Sequence, residues 1–222
     1  MGKSPERTIT SLLTDSRDLT YPESTAFFAL RTAVNDGHRY IAPLYRLGVR
    51  CFVVDKGSMC DESLFPEALF IKTDNTLEAL QILAAHVRKQ AHCPVIGITG
   101  SRGKTIVKEL LYKALHENYS TVRSPRSYNS QIGVPLSLWE LSASTQAAIF
   151  EAGISRPGEM AKLHKMIQPT VGIFTSLTDE HQDGFGSLEQ KATEKALLFI
   201  GCRKVIVPAD GENALIISEA VK

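Results

Sequence analysis

The sequence predicts an α/β fold whose strands run parallel and are covered by helices on both faces. Three observations lead there. From Val95 onward, short β-rich runs and helical runs alternate almost strictly, which is the order of repeated βαβ units. One of these junctions reads IGITGSRGKTIVK over 96–108: an apolar strand, a turn holding Gly100 and Gly103, then Lys104-Thr105 at the head of a helical pattern. The chain has 222 residues, 43% of them hydrophobic, which is enough to bury a core in one large domain or two small ones.

Taken in order, β-rich runs predict strands over 11–14, 26–30, 50–54, 69–72, 95–99, 120–123, 147–151, 171–175 and 204–207. Helical patterns predict helices over 37–47, 77–89, 104–117, 134–141, 158–166 and 187–199. The first of these helices is entered through Asp36-Gly37-His38, with Asp36 at the cap. Before residue 75 the strands are shorter and less regularly ordered. Two domains, 1–74 and 75–222, divide near 73–76. The prolines are dispersed and mark turns and helix starts, and no repeat or low-complexity tract interrupts the pattern.

Composition narrows the function. Lys+Arg number 25 and Asp+Glu 24, so a net charge of +1 gives no global field to attract nucleic acid or an anionic membrane. The opening MGKSPERTIT has no apolar core of a signal peptide, and no uncharged run approaches the roughly 18 residues of a membrane span. Cys51, Cys60, Cys93 and Cys202 are scattered without a C-x-x-C pair, which favours idle or buried thiols of a cytosolic protein over a disulfide or a metal site.

The candidate chemistry falls at predicted strand ends of the second half, where open parallel sheets bind ligands. Gly100, Ser101, Arg102, Gly103, Lys104 and Thr105 read as a short G-x-x-G-K-T phosphate loop, with Ile98 where the general pattern has its first Gly; as a bare pattern it is equally a glycine turn, and the strand before and helix after favour the loop. Its glycines let backbone N–H groups curl around an anion, and the helix N-terminus adds partial positive charge. Lys104 would reach the β/γ-phosphates of a nucleotide and the Thr105 hydroxyl a Mg²⁺ ion. Glu151 ends the strand AAIFE, where a nucleotide-bound Mg²⁺ needs a hard oxygen ligand; taken alone, it is equally a polar residue at a strand exit. His181, in SLTDEHQDGFGS, and Lys195, on the helix that follows, read by themselves as an exposed loop histidine and a solvated helix lysine. Asn129, in SPRSYNSQIGVP, fits either a substrate contact or turn chemistry, and Ser16-Arg17 after the first strand either a phosphate contact or an ordinary turn.

Together these segments resemble the Mur ligases of peptidoglycan synthesis, most of all the type that adds D-alanyl-D-alanine to a UDP-linked muramoyl tripeptide. ITGSRGKT is similar to the family's ATP loop. RSYNSQIGVPLSLW resembles its Asn-rich segment before an I-G-V-P helix, and FEAGISRPGEMAKL its strand-end Glu followed by S-R-P-G-E. TSLTDEHQDGFGSLEQKATEKALLF resembles its His-containing loop, then G-F-G-S-L, then a helix with a special lysine. TDSRDL, TAFFAL and NDGHRYI resemble its uridine-binding first domain. The likeness runs from about Leu12 to about Asp210. It departs from the family at Arg102 (often Asn), at Ile106 (often a second Thr) and at Ser127–Ser130 (usually Asn-x-Asn-Asn).

The resemblance implies a small uridine-binding α/β domain over 1–74 and an ATP-binding central domain over 75–222, incomplete, with the third ligase domain absent. It implies ATP and Mg²⁺ as cofactors, with Thr105, Glu151, His181 and Lys195 on metal, the last as a carbamate formed with CO₂. It implies UDP-N-acetylmuramoyl-tripeptide and D-alanyl-D-alanine as partners. Ser16 and Arg17 would face the uridine side and Asn129 and Arg156 the muramoyl-peptide side, with Lys104, His181 and Lys195 catalytic. A monomer in the cytoplasm is expected, bound to neither nucleic acid nor membrane. Taken alone, the chain is expected to bind nucleotide or UDP-substrate without ligating. A subgroup of this type is fused to an alanine racemase, which the wording of RSPRSYNSQIGVPLSLW resembles. The alternatives are another Mur-superfamily ligase, of the diaminopimelate-adding or folylpolyglutamate type, and a non-catalytic nucleotide-binding module.

Overall fold

The structure, a computed structural model, describes residues 7–58, 60–179, 184–211 and 213–222. Its contacts divide into two compact units, Met1–Leu80 and Gln81–Lys222.

The first unit is a four-stranded parallel sheet of β1 (Ser11–Leu13), β2 (Thr25–Phe28), β3 (Cys51–Asp55) and β4 (Leu69–Thr73), laid side by side in chain order. Phe27 pairs with Phe52 and Val53 with Ile71. TAFF and CFVV are buried residue after residue, without alternation, as strands covered on both faces must be. Leu13, Phe27, Ile41, Leu44, Val49 and Phe52 lie in one apolar core. The helix expected over 37–47 is instead a 3-10 turn, Gly37–Tyr40, followed by α1 (Ile41–Arg46). Pro43 explains the late start. It has no N–H to return to the Arg39 carbonyl, and it fits only the first turn of an α-helix. Asp36 caps the 3-10 turn as expected, accepting from the His38 N–H at 3.0 Å. The His38 ring is fixed from both sides: Nδ1 lies 2.6 Å from the Asp36 carboxylate, and Nε2 accepts the Asp55 N–H at 3.2 Å.

The division between units falls within α2 (Thr76–Gln90). The second unit then runs β5 (Val95–Thr99), α3 (Lys104–Leu115), β6 (Thr121–Arg123), α4 (Gly133–Leu138), β7 (Ala147–Glu151), α5 (Glu159–Ile167), β8 (Val171–Phe174), α6 (Leu188–Ala196), β9 (Lys204–Ile206) and α7 (Ala214–Ala220). Its five strands are parallel in the order β6-β7-β5-β8-β9. The chain therefore leaves β5 toward one edge and later returns to its other side, so β5 stands at the point where the strand order reverses, the place where such sheets bind ligands. The α/β class and the alternation from Val95 are as the sequence predicts. The helix expected over 187–199 changes to a 3-10 turn at Leu197–Phe199, and α7 is additional.

Two packing details position the site. Gly97 of β5 and Gly172 of β8 are register partners. A Cβ at Gly172 would overlap the Phe199 ring, and one at Gly97 would crowd Pro169 and Leu198, so this bare patch seats the turn that ends α6. Arg88 on α2 is buried and donates to three carbonyls: Ile167 at 2.8 Å, Ala91 at 2.9 Å and Gln168 at 2.9 Å. These belong to the C-terminal ends of α5 and α2, whose last carbonyls have no partner within the helix.

Candidate nucleotide-binding site

β5 ends at Thr99 and α3 begins at Lys104, leaving four residues to make the turn. Two of them need glycine. Gly100 has φ +145° and approaches Thr175 so closely that any side chain would collide with its Oγ1, and Gly103 has φ +82° at the N-cap of α3. The segment after β8 holds the turn in place. Ser101 N–H donates to the Ser176 carbonyl at 2.8 Å, Arg102 N–H to Ser176 Oγ at 3.0 Å, and Thr175 Oγ1 to the Arg102 carbonyl at 2.6 Å. The 12-residue α3 starts at this loop with no side-chain cap, so its first N–H groups are available to an anion.

Lys104 folds back over the loop, donating to the Gly100 carbonyl at 2.8 Å and the Ser101 carbonyl at 3.2 Å. Lys195 of α6, only 3% exposed, donates to the same Gly100 carbonyl at 3.3 Å. Two ammonium groups thus meet at one oxygen. Burial, then the charges of Lys104 and Lys191, pulls the Lys195 pKa down to about 7, and burial pulls Lys104 down as well.

Glu151, at the end of β7, is wholly buried. Its backbone is pinned by its own N–H to Ser124 Oγ at 3.2 Å, and the next residue by Ala152 N–H to the Ile98 carbonyl at 2.8 Å. Its Oε2 accepts from Thr105 Oγ1 at 3.2 Å. Its Oε1 lies 2.9 Å from Lys108 Nζ but has no hydrogen bond aligned to it among the described residues. Asn129 stands at the same strand end: its carbonyl accepts the Gly153 N–H at 2.8 Å, and its side chain crowds Gly153. Arg156 is exposed in the turn before α5, its N–H bonded to Glu159.

The structure therefore gathers Gly100, Ser101, Arg102, Gly103, Lys104, Thr105, Glu151 and Lys195 around one loop, with Asn129 close to Glu151. His181 lies outside the described residues. Ser16 and Arg17 belong to the first unit, where Ser16 opens a 3-10 turn. The exposed Arg17 there binds the Asp15 carboxylate at 2.5 Å. Sequence reasoning overlooked Lys108, whose one signal is its place on the inward face of α3, one turn after Lys104.

The arrangement fits a nucleotide polyphosphate: curled glycine backbone, an uncapped helix N-terminus and two lysines at one carbonyl. It also fits a divalent cation at Thr105 and Glu151, where a hydroxyl and a buried carboxylate oxygen lie 3.2 Å apart beside the loop. Among the described residues no group of three or more His, Cys, Asp or Glu side chains could hold a metal ion, so such a cation would draw on phosphate oxygens too.

Residues 98–222 match the family profile of the Mur ligase middle domain. A UDP-N-acetylmuramoyl-tripeptide–D-alanyl-D-alanine ligase from Borreliella burgdorferi is 33% identical over 200 residues, covering 87% of this chain and 43% of that protein. The ligase of the same name from Escherichia coli K12 is 32% identical over 194 residues, covering 87% and 41%. The crystal structure of MurF from Acinetobacter baumannii overlays with a TM-score of 0.83 at 28% identity, covering 95% of this chain and 46% of that one. The chain thus spans less than half the length of these relatives. With the phosphate loop, the strand-end carboxylate and the buried lysine assembled on a matching sheet, the chain belongs to the Mur ligase family.

Proposed function

We propose that this chain is the nucleotide-binding part of an ATP-dependent ligase that adds D-alanyl-D-alanine to UDP-N-acetylmuramoyl-tripeptide. One observation carries the reading: Lys104, Thr105, Glu151 and Lys195 converge at the carboxyl ends of adjacent strands, around a loop that two glycines curl. The names of the relatives at 33% and 32% identity supply the choice of substrates.

In the proposed reaction a substrate carboxylate attacks the γ-phosphorus of ATP, forming an acyl phosphate and releasing ADP. The amine of D-alanyl-D-alanine then attacks the acyl carbon, expelling phosphate and losing a proton. The obstacle in the first step is an anion approaching an anion. Lys104 lowers it by turning from the loop carbonyls to the phosphates. Thr105 and Glu151 would hold Mg²⁺, which would supply charge neutralisation at the phosphates. Lys195 serves as a carbamate: its neutral amine adds to CO₂, a C–N bond forms, and one proton leaves. Burial favours that step by keeping much of the amine unprotonated near neutral pH. The product is an anion, which relieves the repulsion between Lys195 and Lys104. By the same resemblance, His181 would join Lys195 as a metal ligand. Asn129 and Arg156 serve the muramoyl-peptide side, and the 1–74 domain serves the uridine side through Ser16 and Arg17. The proposed enzyme acts in the cytoplasm as a monomer.

Calorimetric titration of the chain with Mg-ATP tests the reading. Lys104→Ala should weaken binding on the order of a hundredfold. Glu151→Ala should remove its dependence on Mg²⁺. In an intact enzyme carrying this segment, Lys104→Ala should abolish ADP release dependent on D-alanyl-D-alanine, and near-normal turnover would overturn the assignment. Binding of Mg-ATP unaffected by both substitutions would overturn the site.

A further inference from the structure

Lys108 and Glu151 are both wholly buried, so neither charge reaches water. An ionised group in that position needs a partner inside the protein, and removing one member of such a pair leaves the other uncompensated. Lys108 Nζ lies 2.9 Å from Glu151 Oε1 and 3.2 Å from Glu109 Oε1, and it donates to the Arg126 carbonyl. Glu109 is already engaged by Arg123 at 3.1 Å, which leaves Glu151 as the carboxylate that Lys108 principally neutralises. The two oxygens of Glu151 are thereby divided, Oε1 toward Lys108 and Oε2 toward Thr105 Oγ1 at 3.2 Å.

We infer that Lys108 is a positioning residue: the internal counter-ion of Glu151 while no cation is bound, holding Oε1 so that Oε2 stays on the Thr105 side. This rests on the reading of Glu151 as a cation ligand. It has a consequence for binding order. A carboxylate already matched by a buried ammonium group has little attraction left for a free divalent ion. The nucleotide must bring the remaining negative charge, so the cation enters with the phosphates. Lys108 then sets a threshold against metal binding to the empty site.

The test uses the 222-residue chain, Mn²⁺ as probe and no nucleotide. Thermal midpoints are measured in EDTA and in excess Mg²⁺, and Mn²⁺ affinity by water-proton relaxation. Wild type should bind Mn²⁺ weakly and show almost no Mg²⁺-dependent midpoint shift. Lys108→Met should lower the midpoint in EDTA, recover part of it in Mg²⁺, and bind Mn²⁺ on the order of tenfold more tightly or better. Lys108→Met/Glu151→Gln should be more stable in EDTA than Lys108→Met and should not respond to Mg²⁺. If Lys108→Met folds only in Mg²⁺, the inference stands. If its metal response equals wild type, or the double variant is no more stable in EDTA than the single one, the inference falls. Loss of Mg-ATP binding in wild type would instead strike the proposed function, while the single-versus-double comparison still reports on the ion pair.

Discussion

Arg17 sits where the sequence points to the uridine side, and in the structure its guanidinium is turned onto Asp15, two residues away. Its hydrogen bonds hold the Asp15 carboxyl down at about 2, against an ordinary value of 3.8. The folded-state value is depressed, so this pair supports the fold above the ordinary carboxylate range, and the support is lost as pH falls from about 3.8 toward 2. Carbon-detected NMR titration should find that low midpoint, and Arg17→Ala should return it most of the way to 3.8. At this scale the phosphate loop was legible because backbone curvature, an anion and a helix start demand particular residue types in a fixed order. Lys108 was not. A lysine on a helix is nearly always solvated, and only its partner Glu151, at the end of a strand distant in sequence, distinguishes this one.

Helices α2 and α5 depend on Arg88 as a shared end-piece. Its guanidinium supplies donors to three carbonyls that the helices themselves leave unpaired. Arg88→Met would keep much of the buried stem but orphan those carbonyls, at a cost of about 3 kcal/mol, read from urea unfolding followed by circular dichroism. Strand positions were the most legible elements, because runs such as CFVV and AAIFE have no other way to bury themselves. Helix ends were less so. The 37–47 pattern hid a 3-10 entry forced by Pro43, and the 187–199 pattern hid the change of winding at Leu197. Helix α7 escaped notice because it is seven residues long, too short for an apolar period to stand out, and its N-cap Asn213 is left-handed and makes no side-chain cap hydrogen bond.

Across the whole molecule, the alternation after Val95 made the five-stranded sheet legible, but not the strand order that puts β5 between β7 and β8. The first unit was harder to read. Its strands are three to five residues long and several of its connections are 3-10 turns, so the helix-strand rhythm that announces a parallel sheet is faint there. The facing glycines at 97 and 172 remain, distant in sequence and bearing no chemistry. They form a socket for Phe199 and Leu198, and that socket fixes how far along the sheet α6 rides, hence the height at which Lys195 meets the Gly100 carbonyl. A single methyl group under the ring would therefore be felt at the buried Lys195. On the carbamate reading proposed above, Gly172→Ala should leave a folded chain that lacks the Lys195 carbonyl resonance expected of the unsubstituted chain under ¹³C-labelled CO₂. Retention of that signal would show that the helix keeps its height by other means.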